Sequence, residues 1–77
     1  MVIEILGTGC AKCEQLAANA GEALKQTGIA AEVNKVTRLK DIVKYNVMVT
    51  PALVVDGEVK SSGKVLSVEQ IKNIITG

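Results

Sequence analysis

The sequence has no histidine, no tryptophan, no phenylalanine and a single tyrosine. Because 48% of its 77 residues are nevertheless hydrophobic, the core has to be built from Val, Ile, Leu and Ala, which favours a mixture of helix and sheet. A chain of this length forms one small domain, here residues 1–77, and buries only about 60% of the surface of the unfolded chain. We therefore expect no second module.

The chain also lacks a charge of one sign and a long apolar run. Nine basic and eight acidic residues are interleaved and leave a formal charge of +1, which gives no reason to expect binding to nucleic acid or acidic lipid. No apolar run approaches the length of a membrane span, and Met1-Val2-Ile3-Glu4 lacks the basic segment and cleavage site of a signal peptide. We expect a cytoplasmic monomer without membrane contact.

Only two cysteines are present, Cys10 and Cys13. With no histidine, one chain cannot supply the four ligands of a structural zinc site, and a dimer would have to pool both pairs of thiolates. In the cytosol a Cys-x-x-Cys pair is more often catalytic or metal-binding than a permanent bridge, and so short a loop would stabilise the fold very little. The pair is therefore predicted to carry chemistry.

The two cysteines fall where a strand passes into a helix. The apolar pattern of Val2–Leu6 predicts a strand covered on both faces. Gly7-Thr8-Gly9 allows a tight turn after it, and a helix is predicted to begin near Cys10. Thiols three residues apart at a helix start lie on one face, close enough to form a disulfide or to share a soft metal. The free N–H groups and the dipole of the helix N-terminus favour a thiolate. We expect Cys10 to be the exposed, activated thiol.

Turn residues and apolar spacing indicate the next elements. The first helix runs from about Cys10 to Thr27 and stops at Gly28. Ala31–Val36 follows as a half-polar strand suited to an outer position in the sheet, and the strand, helix and strand make a parallel, right-handed unit. Thr37 is expected to cap a short helix that ends near Tyr45-Asn46. Its apolar positions are Leu39, Ile42 and Val43, and its solvent positions are Arg38, Lys40, Asp41 and Lys44.

The last third of the chain predicts a hairpin and a helix. The strands 51–55 and 58–62 flank Asp56-Gly57, a strong two-residue hairpin signal. Ser67 and Gln70 have the spacing of a capping box, with Leu66 and Ile71 as the accompanying hydrophobic staple. The buried face of this helix is Val68, Ile71, Ile74 and Ile75. The predicted order is β-α-β-α-β-β-α.

These residues resemble the thioredoxin superfamily. The similarity rests on Cys10-Ala11-Lys12-Cys13 after a strand, Thr50-Pro51 before a later strand, the Asp56-Gly57 hairpin and the closing helix. Within the superfamily, the Gly-x-Gly-Cys-x-x-Cys start and the size are most similar to small glutaredoxin-like redox-active disulfide proteins. The resemblance implies an α/β, minimal thioredoxin-like fold with a four-stranded mixed sheet flanked by helices.

The resemblance also implies roles for individual residues. Cys10 becomes the attacking thiolate and Cys13 the resolving thiol of a dithiol–disulfide oxidoreductase. Pro51 becomes a cis-proline whose neighbour Thr50 offers its backbone to an extended substrate, although a trans proline at the start of a strand is the plain alternative. Lys12 would help the thiolate or serve solubility, and Gly9, which stands in place of the tryptophan of thioredoxins, completes the expected substrate-binding set. The implied partners are a protein disulfide and a dithiol reductase, with no cofactor.

Two further residues have open interpretations. Thioredoxins keep a buried acid beneath the disulfide to accept the proton of the resolving thiol. Glu4 is a candidate for that role, and the alternative is a partly exposed carboxylate at the end of the sheet. Tyr45 is predicted to be a packing residue after the second helix.

The order Val49-Thr50-Pro51 differs from the Thr-Val-Pro step with which glutaredoxins bind glutathione, so a protein disulfide is at least as good a substrate.

A soft-metal site is the competing hypothesis. The segment Gly7-Thr8-Gly9-Cys10 with Cys13 is also similar to the Gly-Met-Thr-Cys-x-x-Cys loop of copper-carrying domains, and two thiolates suit Cu(I). Those domains, however, have the order β-α-β-β-α-β. The helix predicted within 37–46 and the closing helix favour the redox interpretation.

Overall fold

A computed structural model describes all 77 residues of the chain. Its strands are β1 (Val2–Leu6), β2 (Glu32–Val36), β3 (Ala52–Val55) and β4 (Glu58–Ser62). Its helices are α1 (Ala11–Thr27), α2 (Leu39–Ile42), which continues into a 3-10 turn (Val43–Tyr45), and α3 (Val68–Thr76). The predicted order of elements and the α/β fold with a four-stranded mixed sheet are confirmed.

The sheet places β1 in an inner position. The strand order is β2-β1-β3-β4, with β1 parallel to β2 and antiparallel to β3. Since side chains alternate along a strand, Ile3 and Ile5 face one side of the sheet and Glu4 and Leu6 face the other. Both sides of the sheet are covered at β1, as the apolar sequence of this strand predicts. The carboxyl end of β1 leads directly into the turn that carries the cysteines.

Two apolar clusters lie on the two faces of the sheet. The cluster that α1 and α3 cover consists of Ile3, Ile5, Leu16, Ala20, Ala23, Leu53, Val55, Leu66, Ile71 and Ile75. The cluster beneath α2 consists of Leu6, Ile42, Val47, Ala52 and Val54. Aliphatic side chains thus build the core, and no charged side chain is fully buried.

The ends of the two long helices follow from local chemistry. Helix α1 stops at Gly28, whose φ of 71° is left-handed and whose N–H bonds the carbonyl of Leu24. Helix α3 begins with the predicted capping box: the Ser67 hydroxyl accepts from the Gln70 N–H, and the Gln70 side chain accepts from the Ser67 N–H. Each contact satisfies a donor that the helix itself leaves free.

Replacing Ser67 by alanine is expected to lower the free energy of unfolding by about 1 kcal/mol, because the Gln70 N–H loses its acceptor. In a domain of this size that corresponds to a Tm lower by roughly 4–8 °C. Differential scanning calorimetry measures it, with Ser62→Ala on the exposed edge strand as the control. An unchanged Tm would show that the capping box is not needed.

The short helix differs from the prediction in two respects. Thr37 does not cap it: the N-cap is Arg38, which is extended and makes no side-chain cap. The chain stays extended this far because Val36 is still paired in the sheet, where its carbonyl accepts from the Gly7 N–H at 3.0 Å. In addition, only Ile42 of the three apolar positions is buried, whereas Leu39 is 67% and Val43 55% exposed. A helix of four residues can direct only one large side chain into the core.

Candidate active site

The turn between β1 and α1 brings the two cysteines together. Gly9 has a φ of 91°, a conformation that side chains disfavour, and it directs the chain from the sheet into the helix. Gly7 has a different role: a Cβ there would overlap Cys13 Sγ and lie 3.0 Å from Cys13 Cβ. The absence of a side chain at Gly7 therefore makes the space that the Cys13 sulfur occupies.

The two thiols have unequal surroundings. Cys10 is the N-cap of α1 and is exposed, whereas Cys13 lies one turn further along and is only 5% exposed. Their sulfurs are 2.8 Å apart, in hydrogen-bond contact and not bonded to each other. The helix start thus holds one accessible sulfur and one protected sulfur, close enough to form a disulfide with each other.

The pKa values of the two thiols move in opposite directions. A hydrogen bond from the Cys13 thiol lowers the pKa of Cys10, and backbone N–H groups of Cys13 and Lys12 contribute to the same effect. Burial raises the pKa of Cys13, and its hydrogen bond to Cys10 raises it further. The pair therefore favours a Cys10 thiolate that accepts a hydrogen bond from a neutral Cys13 thiol.

The alkylation rate of each thiol against pH should show this asymmetry. Because the thiolate is the reacting species, Cys10 is expected to react with iodoacetamide with a midpoint below the ordinary thiol value of about 8.5. Cys13 should react more slowly and with a higher midpoint. Peptide mass spectrometry after timed alkylation separates the two. Faster alkylation of Cys13 would reverse the assignment.

The Thr50-Pro51 segment lies beside the cysteine turn. The peptide bond between them is cis. Pro51 is buried, and its carbonyl accepts from the Gly63 N–H at 2.8 Å. A Cβ at Gly7 would lie 4.0 Å from Thr50 Cβ, which places Thr50 near the Cys13 sulfur. The preceding Met48 is 97% exposed, so an accessible apolar side chain lies close to Thr50 in the chain.

Lys12 lies between the two cysteines in the chain and Gly9 lies just before them, and Lys12 makes no ion pair. Both residues are exposed. The backbone N–H of Lys12 lowers the pKa of Cys10, and the backbone N–H of Gly9 has the same effect on Cys13, although burial outweighs it there. The peptide groups of the turn therefore favour the thiolate form of both sulfurs.

Glu4 and Tyr45 form a contact that the sequence analysis did not predict. The Tyr45 hydroxyl lies 2.9 and 2.8 Å from the two carboxylate oxygens of Glu4 and donates to them. This hydrogen bond raises the pKa of Tyr45. Glu4 is partly buried on the side of β1 that faces α2, so the contact fastens the 3-10 turn to the sheet.

Three further residues near Cys13 were also missed. Glu14, Lys35 and Thr37 line a shallow depression together with Cys13, and Lys35 Nζ lies 2.8 Å from Glu14 Oε2. Glu14 could have been noticed because it follows Cys13 in the first helical turn. No sequence signal distinguishes Lys35, which reaches this place only through the pairing of β2 with β1.

The structure has no cluster of three or more histidine, cysteine or acidic residues able to hold a metal ion. None of its helices has the length and apolar character needed to cross a membrane.

A strand, a glycine turn, a dithiol at a helix start and an adjacent cis-proline are the features of a thioredoxin-like protein. In agreement, a family model described as "Thioredoxin domain" matches residues 1–76. A protein of Methanothermobacter thermautotrophicus named thioredoxin is 46% identical over 76 residues, which cover 99% of each chain. Another thioredoxin, from Methanocaldococcus jannaschii, is 44% identical over 72 residues, which cover 94% of this chain and 83% of that protein. The chain belongs to the thioredoxin family.

Proposed function

We propose that this chain is a dithiol–disulfide oxidoreductase that exchanges electrons with protein disulfides through Cys10 and Cys13. The observation that carries the proposal is the pair of sulfurs 2.8 Å apart, one exposed and one buried. The family membership and the two relatives named thioredoxin support an oxidoreductase of this type.

The reaction has two steps. The Cys10 thiolate attacks one sulfur of the substrate disulfide, forms a mixed disulfide and releases the other substrate sulfur as a thiolate. Cys13 then attacks the Cys10 sulfur, closes the Cys10–Cys13 disulfide and releases the second substrate thiolate. Two electrons pass from the dithiol to the substrate. A dithiol reductase returns the protein to its starting state, and no cofactor takes part.

Substrate binding is proposed for the residues around the exposed sulfur. Thr50, beside Pro51, would offer its backbone to an extended segment of the substrate, and the open surface at Gly9 and Lys12 would let that segment reach Cys10. The exposed Met48 and Val49 supply apolar contact area, which fits a protein substrate better than a small thiol. Action as a single-domain monomer in the cytoplasm stays a prediction.

The copper hypothesis gains no support from the fold. Helix α2 lies between β2 and β3, and the chain closes on α3, unlike the β-α-β-β-α-β order of copper-carrying domains. Dithiol redox chemistry is therefore the proposal that we retain.

Reduction of insulin by the reduced protein tests the substrate class. We expect each chain that becomes oxidised to leave two new thiols on insulin, counted by alkylation and mass spectrometry. The Cys10→Ser variant should leave none. Reaction with glutathione disulfide but not with insulin would refute protein disulfides as the substrate.

A further inference from the structure

A shallow depression opens beside the buried sulfur of the dithiol. It is lined by Ile5, Gly7, Gly9, Cys13, Glu14, Lys35 and Thr37. Cys13, although only 5% exposed, thus borders a space whose lining does not include Cys10. Of the residues around this space only Glu14 carries a carboxylate.

The Glu14 carboxylate is held in place by β2. Lys35 is paired with Ile5 across the two parallel strands, so both side chains emerge on the side of the sheet that α1 covers. From there Lys35 Nζ reaches both oxygens of Glu14, at 3.0 and 2.8 Å. Both side chains remain about half exposed, at 50% for Lys35 and 57% for Glu14, so water has access to the carboxylate.

The resolving step creates a need for a proton acceptor. Burial raises the pKa of Cys13, so at neutral pH Cys13 is a thiol and must lose a proton to attack the Cys10 sulfur. Glu4 lies on the side of the sheet that faces α2, where both of its oxygens accept from the Tyr45 hydroxyl, and it does not line the depression. The charged or titratable groups around Cys13 are Cys10 and Lys12, which belong to the same turn, and Glu14 and Lys35, which line the depression with it.

We propose that Glu14, positioned by Lys35, accepts the Cys13 proton through water in this depression when Cys13 resolves the mixed disulfide. The inference rests on the proposed function. In the step, the Cys13–Cys10 bond forms, the bond between Cys10 and the substrate sulfur breaks, and the substrate leaves as a thiolate. The Cys13 proton passes to the Glu14 carboxylate and from there to solvent.

A role of Glu14 as proton acceptor and a purely electrostatic role predict opposite changes in the rate of the resolving step when the carboxylate is removed. A negative charge near a thiol disfavours the thiolate, so Glu14→Gln would make Cys13 ionise more easily and would speed resolution if Glu14 acted only electrostatically. If Glu14 is the proton acceptor, the same variant slows resolution. The sign of the rate change therefore separates the two.

The experiment follows the reaction of the full chain with 4,4′-dithiodipyridine, an uncharged disulfide, by stopped flow. The first thiopyridone is released in a step that depends on reagent concentration, when Cys10 attacks. The second is released in a first-order step, when Cys13 attacks the Cys10 sulfur. We expect Glu14→Gln to slow the second step at least about tenfold at neutral pH and to leave the first no slower. At high pH, where Cys13 ionises unaided, the variant and the native protein should converge.

Three variants complete the test. Glu58→Gln also removes an exposed carboxylate from a 2.8 Å ion pair, with Lys60, and should leave the second step unchanged. Glu4→Gln keeps an acceptor for Tyr45 and should also leave it unchanged, while Glu14→Asp should restore part of the rate. An unchanged or faster second step in Glu14→Gln overturns the inference, as does slowing in Glu4→Gln alone. If both thiols of the native protein react in reagent-dependent steps with no first-order release, the proposed function itself fails.

Discussion

Replacing Cys13 by serine is expected to turn a transient mixed disulfide with a substrate protein into a stable one. In the native protein the Cys13 sulfur lies 2.8 Å from Cys10 Sγ, and well-placed intramolecular groups act with effective molarities of about 10⁵ M or more. A serine hydroxyl cannot replace the thiol as the attacking group. Without added thiol, the lifetime of the mixed disulfide should increase by at least about 10³-fold.

Non-reducing electrophoresis of Cys13→Ser after incubation with oxidised insulin measures this trapping. The matched control is Cys10→Ser, which keeps the buried thiol and removes the exposed one, and it should capture nothing. Capture by Cys10→Ser but not by Cys13→Ser would exchange the roles of the two cysteines. Release from Cys13→Ser at the native rate would show that Cys13 does not resolve the intermediate.

Replacing Gly7 by alanine should both destabilise the domain and disturb the dithiol. The added methyl group would overlap Cys13 Sγ and lie 3.0 Å from Cys13 Cβ, so rotation of the sulfur alone cannot relieve the clash. Overpacking of this kind costs about 1–3 kcal/mol, with a Tm lower by roughly 4–8 °C for each kcal/mol in a domain of this size. Because the sulfur has to shift, closure of the disulfide should also slow.

Two variants separate this clash from a general effect of the substitution. Gly21 lies in α1 with nothing within 4 Å of an added Cβ, so Gly21→Ala should stabilise the helix by about 0.5–1 kcal/mol. In a Cys13→Ala background, Gly7→Ala should cost less than in the native protein, because the overlapping sulfur is gone. Equal costs in both backgrounds would contradict a direct clash between Gly7 and Cys13.

Features set by neighbouring residues could be predicted from the sequence. The Ser67 capping box, the Gly28 stop and the Asp56-Gly57 hairpin each depend on chemistry within a few residues, and all three are present. The position of Cys10 and Cys13 at a helix start follows from the same local logic. The main features of the fold and the location of the dithiol were therefore accessible without coordinates.

Contacts between distant segments could not be predicted. Tyr45 and Glu4 are 41 residues apart, and Lys35 and Glu14 are 21 apart. These pairs form only because strand register and helix packing bring their elements together. The role of Gly7 could not be predicted for the same reason. A glycine before a turn suggests flexibility, whereas here the space next to the Gly7 Cα is occupied by the Cys13 side chain of the following helix.

The exposure of Leu39 and Val43 also could not be predicted from the sequence. The spacing of Leu39, Ile42 and Val43 matches a helical apolar face, but the helix is too short for all three to reach the cluster beneath it. Local periodicity indicates which face of a helix is apolar. It does not determine how much of that face the rest of the fold covers.

The most direct test of the central claim is a redox titration of the Cys10/Cys13 pair. The protein is equilibrated in dithiothreitol and glutathione buffers of known potential, and the thiols are counted by alkylation and mass spectrometry. We expect one two-electron transition within a single chain, with a midpoint between about −290 and −180 mV, the range of thioredoxins, glutaredoxins and disulfide isomerases. Failure of the two cysteines to form an intramolecular disulfide at any potential in this range would contradict it.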